Sequence, residues 1–161
     1  MNSKCAVVLG VGSVLPERDC LIRKAWGNVP VSYFQDEEDL NACSFLDLKI
    51  NKWEINGEWS CRQFEEPWIR IEVLRGQVLV EHLRAETWSP PMNSAEETLI
   101  IFKLDEGGSE LDEVLLLRLV SVFFGDGKLY RWCDGFQEIG EGAIAALPTL
   151  QALQERMLKC E

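Results

Sequence analysis

Histidine is almost missing from this chain, with His82 alone among 161 residues. Acid–base, nucleophilic and metal chemistry near neutral pH draw on histidine more than on any other side chain. With a single one, most of those arrangements have no second member. Cations are scarce too: 16 Lys+Arg stand against 27 Asp+Glu, for a formal net charge of −11. Such a surface repels nucleic acid and anionic lipid and attracts a basic partner. No apolar run reaches the ~18–20 residues that a membrane helix requires. The six cysteines (Cys5, Cys20, Cys43, Cys61, Cys133, Cys160) are too far apart for any C-x-x-C pair, so the usual zinc and thiol-exchange spacings are lacking.

Further motifs stop short. Gly10-Val11-Gly12 follows an apolar run and precedes a helix signal, but the third glycine of a dinucleotide fingerprint would fall on Leu15. No Lys-Ser/Thr pair follows it either, and a tight strand-to-helix turn accounts for both glycines. A triad would have to use His82, and no G-x-S-x-G turn supplies its nucleophile. His82 reads as a surface or half-buried strand residue. Asp36-Glu37-Glu38-Asp39 lacks the D-x-D-x-D-G spacing of a calcium loop. Paired carboxylates of glycosidase type are weak evidence where acids are so common. The sequence therefore predicts no catalytic residue, no metal and no cofactor.

What is present is ordinary globular composition, 47% hydrophobic and 27% charged, in a length that suits one domain over residues 1–161. The stretch after Lys4 is broken by glycines, lacks an A-x-A cleavage site and runs into Pro16-Glu17-Arg18-Asp19. It reads as a first strand. The chain is expected to be cytoplasmic, with six reduced thiols.

Along the chain, Lys4–Val11 is a continuous apolar run typical of a buried strand. Pro16 suits a first helical turn, and Gly27 suits the stop. Pro30–Phe34 reads as a linker or short strand, and the acidic stretch Gln35–Asn41 has room for one helical turn. Within Ser44–Ile55, Leu46, Leu48 and Ile50 share one face at period two. Asn56-Gly57 is a strong hairpin signal and predicts that Glu58–Phe64 returns antiparallel. Ile69, Ile71 and Val73 alternate with polar or flanking residues, and Val78 and Val80 continue the pattern beyond an Arg75-Gly76 turn. Ala85–Glu96, with its Ser-Pro-Pro, is the clearest loop. Thr98–Leu104 is a strand. In Leu111–Phe124 a Ser109/Asp112 capping box favours a helix, while alternation at Leu117, Leu119 and Ser121 favours a strand. The alternation, with a hairpin at Gly125-Asp126-Gly127, predicts strand from Val114. Pro148–Lys159 has the spacing of an amphipathic closing helix. The expected fold is α+β: a largely antiparallel, curved sheet of six to eight strands, more strand than helix, with a helix near each terminus packed on one face.

The candidate site follows from charge and aromatics. Asp36, Glu37, Glu38 and Asp39 form the densest acidic run, with Glu65 and Glu66 as a second. Trp26, Trp53 and Trp132 fall within expected elements and read as core. Trp59, Trp68 and Trp88 adjoin turns or acids, and Trp88 in its proline-rich loop reads as a clasp on its own domain or an interface anchor. Three functions fit. The first is an immunity or antitoxin protein that inhibits a basic, nucleic-acid-directed toxin or effector through Asp36–Asp39, Glu65, Glu66 and Trp88. The second is an acidic secretion chaperone or adaptor, whose dimer face would lie on Leu111–Phe124. The third is a small-ligand domain or enzyme with a site on the loops near Trp88. No nucleic-acid or membrane partner is expected.

Overall fold

Every residue from Cys5 to Leu9 is buried, so β1 (Lys4–Leu9) needs neighbours on both edges and cover on both faces. It has them. The computed structural model describes residues 3–85, 89–92 and 96–160, and for residues 62–65 the backbone alone. Within it, β1 lies between β5 (Thr98–Leu104) and β6 (Gly127–Trp132). The seven-stranded order is β2-β3-β4-β5-β1-β6-β7, with β2 Val31–Gln35, β3 Phe45–Ile50, β4 Ile69–Leu74 and β7 Phe136–Glu138. Each pairing is antiparallel, and the sheet does not close. The fold is α+β, as the sequence predicts.

Period-two alternation divides the sheet into two faces. Val7, Leu48, Ile71 and Phe102 belong to the larger core. Helices α1 (Arg18–Trp26), α4 (Glu110–Ser121) and α6 (Leu150–Leu158) supply the other half of that core, through residues such as Leu21, Leu115 and Met157. The first and last helices thus share one face. Indole donors tie the layer together. Trp26 Nε1–H donates to the Leu115 carbonyl at 2.9 Å, and Trp59 Nε1–H to the Met157 carbonyl at 2.7 Å. On the opposite face Ala6, Val8, Leu99 and Ile101 pack with Leu79 of α3 (Gly76–Ala85) in a smaller cluster. Short helices α2 (Lys52–Ile55) and α5 (Glu141–Ala145) complete the set.

Several sequence expectations fail for identifiable reasons. Asn56-Gly57 makes no hairpin. Asn56 is extended, and its side chain accepts from the Glu58 N–H, capping a 3-10 stretch over Gly57–Glu65. The run containing Val78 and Val80 is α3 rather than a strand. Gly76 turns the chain at φ 60°, and Leu79 and Leu83 meet the sheet at i,i+4 spacing while Val78 stays exposed. From Val114 the chain is helix, and the capping box is real: Asp112 N–H donates to Ser109 Oγ, and Ser109 N–H to the Asp112 carboxylate. Leu111, Leu115, Leu116, Leu119 and Val120 are all buried, so α4 is apolar around much of its circumference and its alternation is accidental. Gly125-Gly127 therefore joins a helix to β6, not two strands. Helix, at 36%, exceeds strand, at 27%, against the expected order. Pro16 and Pro148 precede the N-caps Glu17 and Thr149 instead of sitting in the first turns. Gln35 ends β2, Asp36–Asp39 is a bend, and the one turn in this stretch comes after it, where the Ala42 and Cys43 N–H groups both donate to the Asp39 carbonyl. Trp53 and Trp132 are exposed, whereas Trp59 is core.

Candidate functional site

The acidic run Asp36–Asp39 spans the connection from β2 to β3, and its four carboxylates have different roles. Asp36 accepts from the backbone N–H groups of Ser44 (2.9 Å) and Phe45 (3.4 Å), closing the loop. Desolvation pulls its pKa upward; the Ser44 and Phe45 donors together outweigh it and hold the carboxyl below its ordinary value. Asp39 accepts from the Asn41 backbone N–H at 2.9 Å and from the Asn41 amide at 3.1 Å. Those bonds, opposed by desolvation and aided by Arg75, lower its pKa as well. Glu38 meets Arg18 Nη1 at 3.3 Å. Glu37 is exposed.

Arg18 organises this corner. Its Nη1 donates to Gln35 Oε1 at 2.6 Å, its Nε lies 3.3 Å from Asp19, and its guanidinium sits 3.7 Å above the Tyr33 ring. The β1–α1 loop is pinned alongside, with the Leu15 N–H donating to Asn41 Oδ1 at 2.7 Å. Between the two loops lies an open cleft of about 550 Å³ walled by Glu17, Asp19, Glu38 and Asp39, with Val14 at its rim and Arg18 its one cationic lining residue. Val14 is 79% exposed and Val11 63% exposed. Val11 lies outside β1, so the apolar run assigned to one buried strand ends in a wet, apolar loop.

The other expected site residues lie elsewhere. Strand register sets Glu66 beyond the start of β4, beside the end of β3, whereas Asp36–Asp39 precedes the start of β3. The two acidic clusters therefore occupy opposite ends of the sheet. Glu66 accepts from the Trp53 backbone N–H at 3.2 Å. Glu65 closes the 3-10 stretch, where only backbone is described. Trp88 and the loop site around it lie outside the described residues. Within Leu111–Phe124, Leu111, Leu115, Leu116, Leu119, Val120 and Phe123 lie in the core, Leu117 is partly buried and Phe124 is exposed. Glu17, Asp19 and Val14 were missed as site residues. Two acids in a first helical turn already have a sufficient explanation in the helix dipole.

One buried polar group was invisible in the sequence. Lys52 and Asp112, 1% and 3% exposed, form an ion pair at 2.5 Å. Lys52 Nζ also lies 5.1 Å from the Trp59 ring centroid. Asp112 belongs at once to this pair and to the capping box, so the group joins α2 to α4. Among the described residues no three His, Cys, Asp or Glu side chains gather into a metal-binding set, and no helix is long and apolar enough to cross a membrane.

The sheet and the cleft together define an acidic α+β domain with a charged, open surface at one corner. Compared with protein-family models, with curated proteins and with solved structures, the chain matches none.

Proposed function

We propose that this chain is a cytoplasmic binding domain of the immunity or antitoxin kind, which captures a basic, nucleic-acid-directed protein and blocks it. The observation that carries this reading is the cleft between the β1–α1 and β2–β3 loops. Four carboxylates wall it, and its single cation, Arg18, is already engaged by Asp19, Gln35, Glu38 and Tyr33. The field there favours Lys and Arg from outside, and a cleft focuses such a field. Val11 and Val14 add exposed apolar area beside the charges, the combination that gives steering and burial together.

The test is kinetic. The tagged chain is used to recover its partner from the native lysate at low salt, and association is then followed as NaCl rises. The on-rate is expected to fall about tenfold or more between low and high salt, with a smaller change in off-rate. Glu37→Lys with Glu38→Lys should slow association in the same way. Asp36 and Asp39 are left intact because they hold the loop together. An on-rate indifferent to both salt and charge reversal would refute the electrostatic reading.

A further inference from the structure

Among the described residues β2 is an outer strand of the sheet, with β3 as its one hydrogen-bonded neighbour. The ladder fixes which of its backbone groups face outward. The Asn51 N–H donates to the Pro30 carbonyl at 2.9 Å, and in an antiparallel ladder the bonded pairs recur every second residue. Ser32 and Phe34 therefore bond inward, to Lys49 and Asp47. The N–H and C=O groups of Val31, Tyr33 and Gln35 point away from β3, and among the described residues nothing pairs with them.

Sheet edges are normally blunted by lysine, proline, a bulge or extreme shortness. The opposite edge, β7, has three residues. β2 has five and reads Val-Ser-Tyr-Phe-Gln, so the one protective residue on this edge is Pro30 at its very start, and Val31–Gln35 carry none. Tyr33 and Phe34 are 46% and 66% exposed, one on each face. Phe34 stacks on Phe45 at 6.1 Å, so the aromatic rail on that side is held in place. Just beyond the end of β2, Glu38 belongs to the acidic wall of the cleft, and Glu37 is exposed next to it in the chain.

We infer that β2 is the strand on which the basic partner docks, by adding an extended segment to the sheet edge with its cationic end over Glu37 and Glu38. The inference rests on the proposed capture of a basic protein and supplies its geometry. Main-chain bonds to Val31, Tyr33 and Gln35 would provide sequence-tolerant affinity, and alternate side chains of the added strand would lie along Tyr33 on one face and Phe34 on the other. Charge complementarity selects the occupant. A second copy of this chain would bring its own acids against these, while a Lys/Arg-bearing segment neutralises them.

Two synthetic heptapeptides test it, Lys-Lys-Thr-Val-Thr-Val-Thr and its counterpart with Glu for Lys, titrated to millimolar concentration against the whole chain with amide exchange read by NMR. The lysine peptide is expected to slow exchange at Val31, Tyr33 and Gln35, and the glutamate peptide to bind at least about tenfold more weakly. Tyr33→Pro removes one outward N–H and no rung of the β3 ladder, a position where proline is tolerated. It should abolish protection at the edge, while Tyr33→Thr should keep it. Unchanged circular dichroism and melting in both variants establish that the sheet is intact; if Tyr33→Pro unfolds the chain, a lysine peptide N-methylated at its central valine replaces it and should fail to bind. The inference is overturned if the lysine peptide does not bind, if it binds without protecting these amides, if Tyr33→Pro or the N-methylated peptide binds normally, or if the chain protects the same amides by pairing with itself. A salt-sensitive partner that binds Tyr33→Pro like the parent chain would leave the basic-partner reading standing and remove β2 from it.

Discussion

Lys52 and Asp112 show how much of this protein rests on single residues. A buried pair is weak evidence of net stabilisation, yet removing one member strands the other charge. Lys52→Met is expected to cost about 3–5 kcal/mol in urea unfolding, because Asp112 stays buried under its capping bonds. A cost below about 1 kcal/mol would mean that Asp112 finds another donor. Asp36 gives a prediction in pH. Its folded pKa lies below the ordinary 3.8, so its contribution is complete above that value and lost as pH falls through the folded one. Asp36→Asn keeps an acceptor for Ser44 and removes the charge. Its urea midpoint should lie below that of the parent at about pH 6, and the two should converge by about pH 2. Cys5 is the opposite case: burial pushes its thiol up to about 12, opposed by Arg131 and assisted by Glu113. That thiol stays protonated and inert in the folded chain.

Elements were legible where local pattern and tertiary role agree. β1, β3, β4 and β5 each announce themselves by a continuous or alternating apolar run, and α6 by helical spacing. The failures at α3 and α4 have different causes. At α4 a helix packed between the sheet and other helices buries more than a stripe, and the resulting dense apolar run imitates a strand. At α3 Leu79 is buried while Val78 stays exposed, so the alternating valines did not mark the buried face. At α4 the capping box was the stronger signal, because it specifies a hydrogen-bonding geometry rather than a composition. Ser109→Ala should cost about 1 kcal/mol, in the usual range for an N-cap. The midpoint of urea unfolding measures it, and no change would mean that the Asp112 carboxylate alone holds the helix start. Asn56 shows the limit of dipeptide signals: its side-chain bond to Glu58 starts a 3-10 stretch with the chemistry that could have closed a turn. The candidate cleft was half legible. Its β2–β3 wall stood out as an acidic run, while its β1–α1 wall joins across the fold through the Leu15–Asn41 bond, a contact no local pattern encodes.

At the scale of the whole molecule, the net charge is −11, and the surface ion pairs of the described residues vary in geometry. Arg70 with Asp47, at 2.8 and 2.9 Å, is the best of them. Such pairs contribute about 0–1 kcal/mol each, so mutual repulsion among the acids should dominate the response to salt. The melting temperature is expected to rise by about 2–4 °C between 10 mM and 0.3 M NaCl, as screening contracts from ~30 Å to a few ångströms and returns about 1 kcal/mol. A fall would mean that attractive pairs outweigh the repulsion.

The central position of β1 also sets a timetable. Both of its sheet neighbours lie far downstream in the chain, in β5 and β6. During synthesis at about 5–20 residues per second, the roughly ninety residues that separate β1 from β5 take on the order of 5–20 s to emerge. Throughout that interval the run Cys5–Leu9, fully enclosed in the finished sheet, has no native strand beside it. β2, β3 and β4 can zip as a meander in the meantime, but β4 also waits for β5. The nascent chain therefore spends those seconds with a wholly apolar run unclaimed, and one later strand, Thr98–Leu104, closes both halves of the sheet at a stroke.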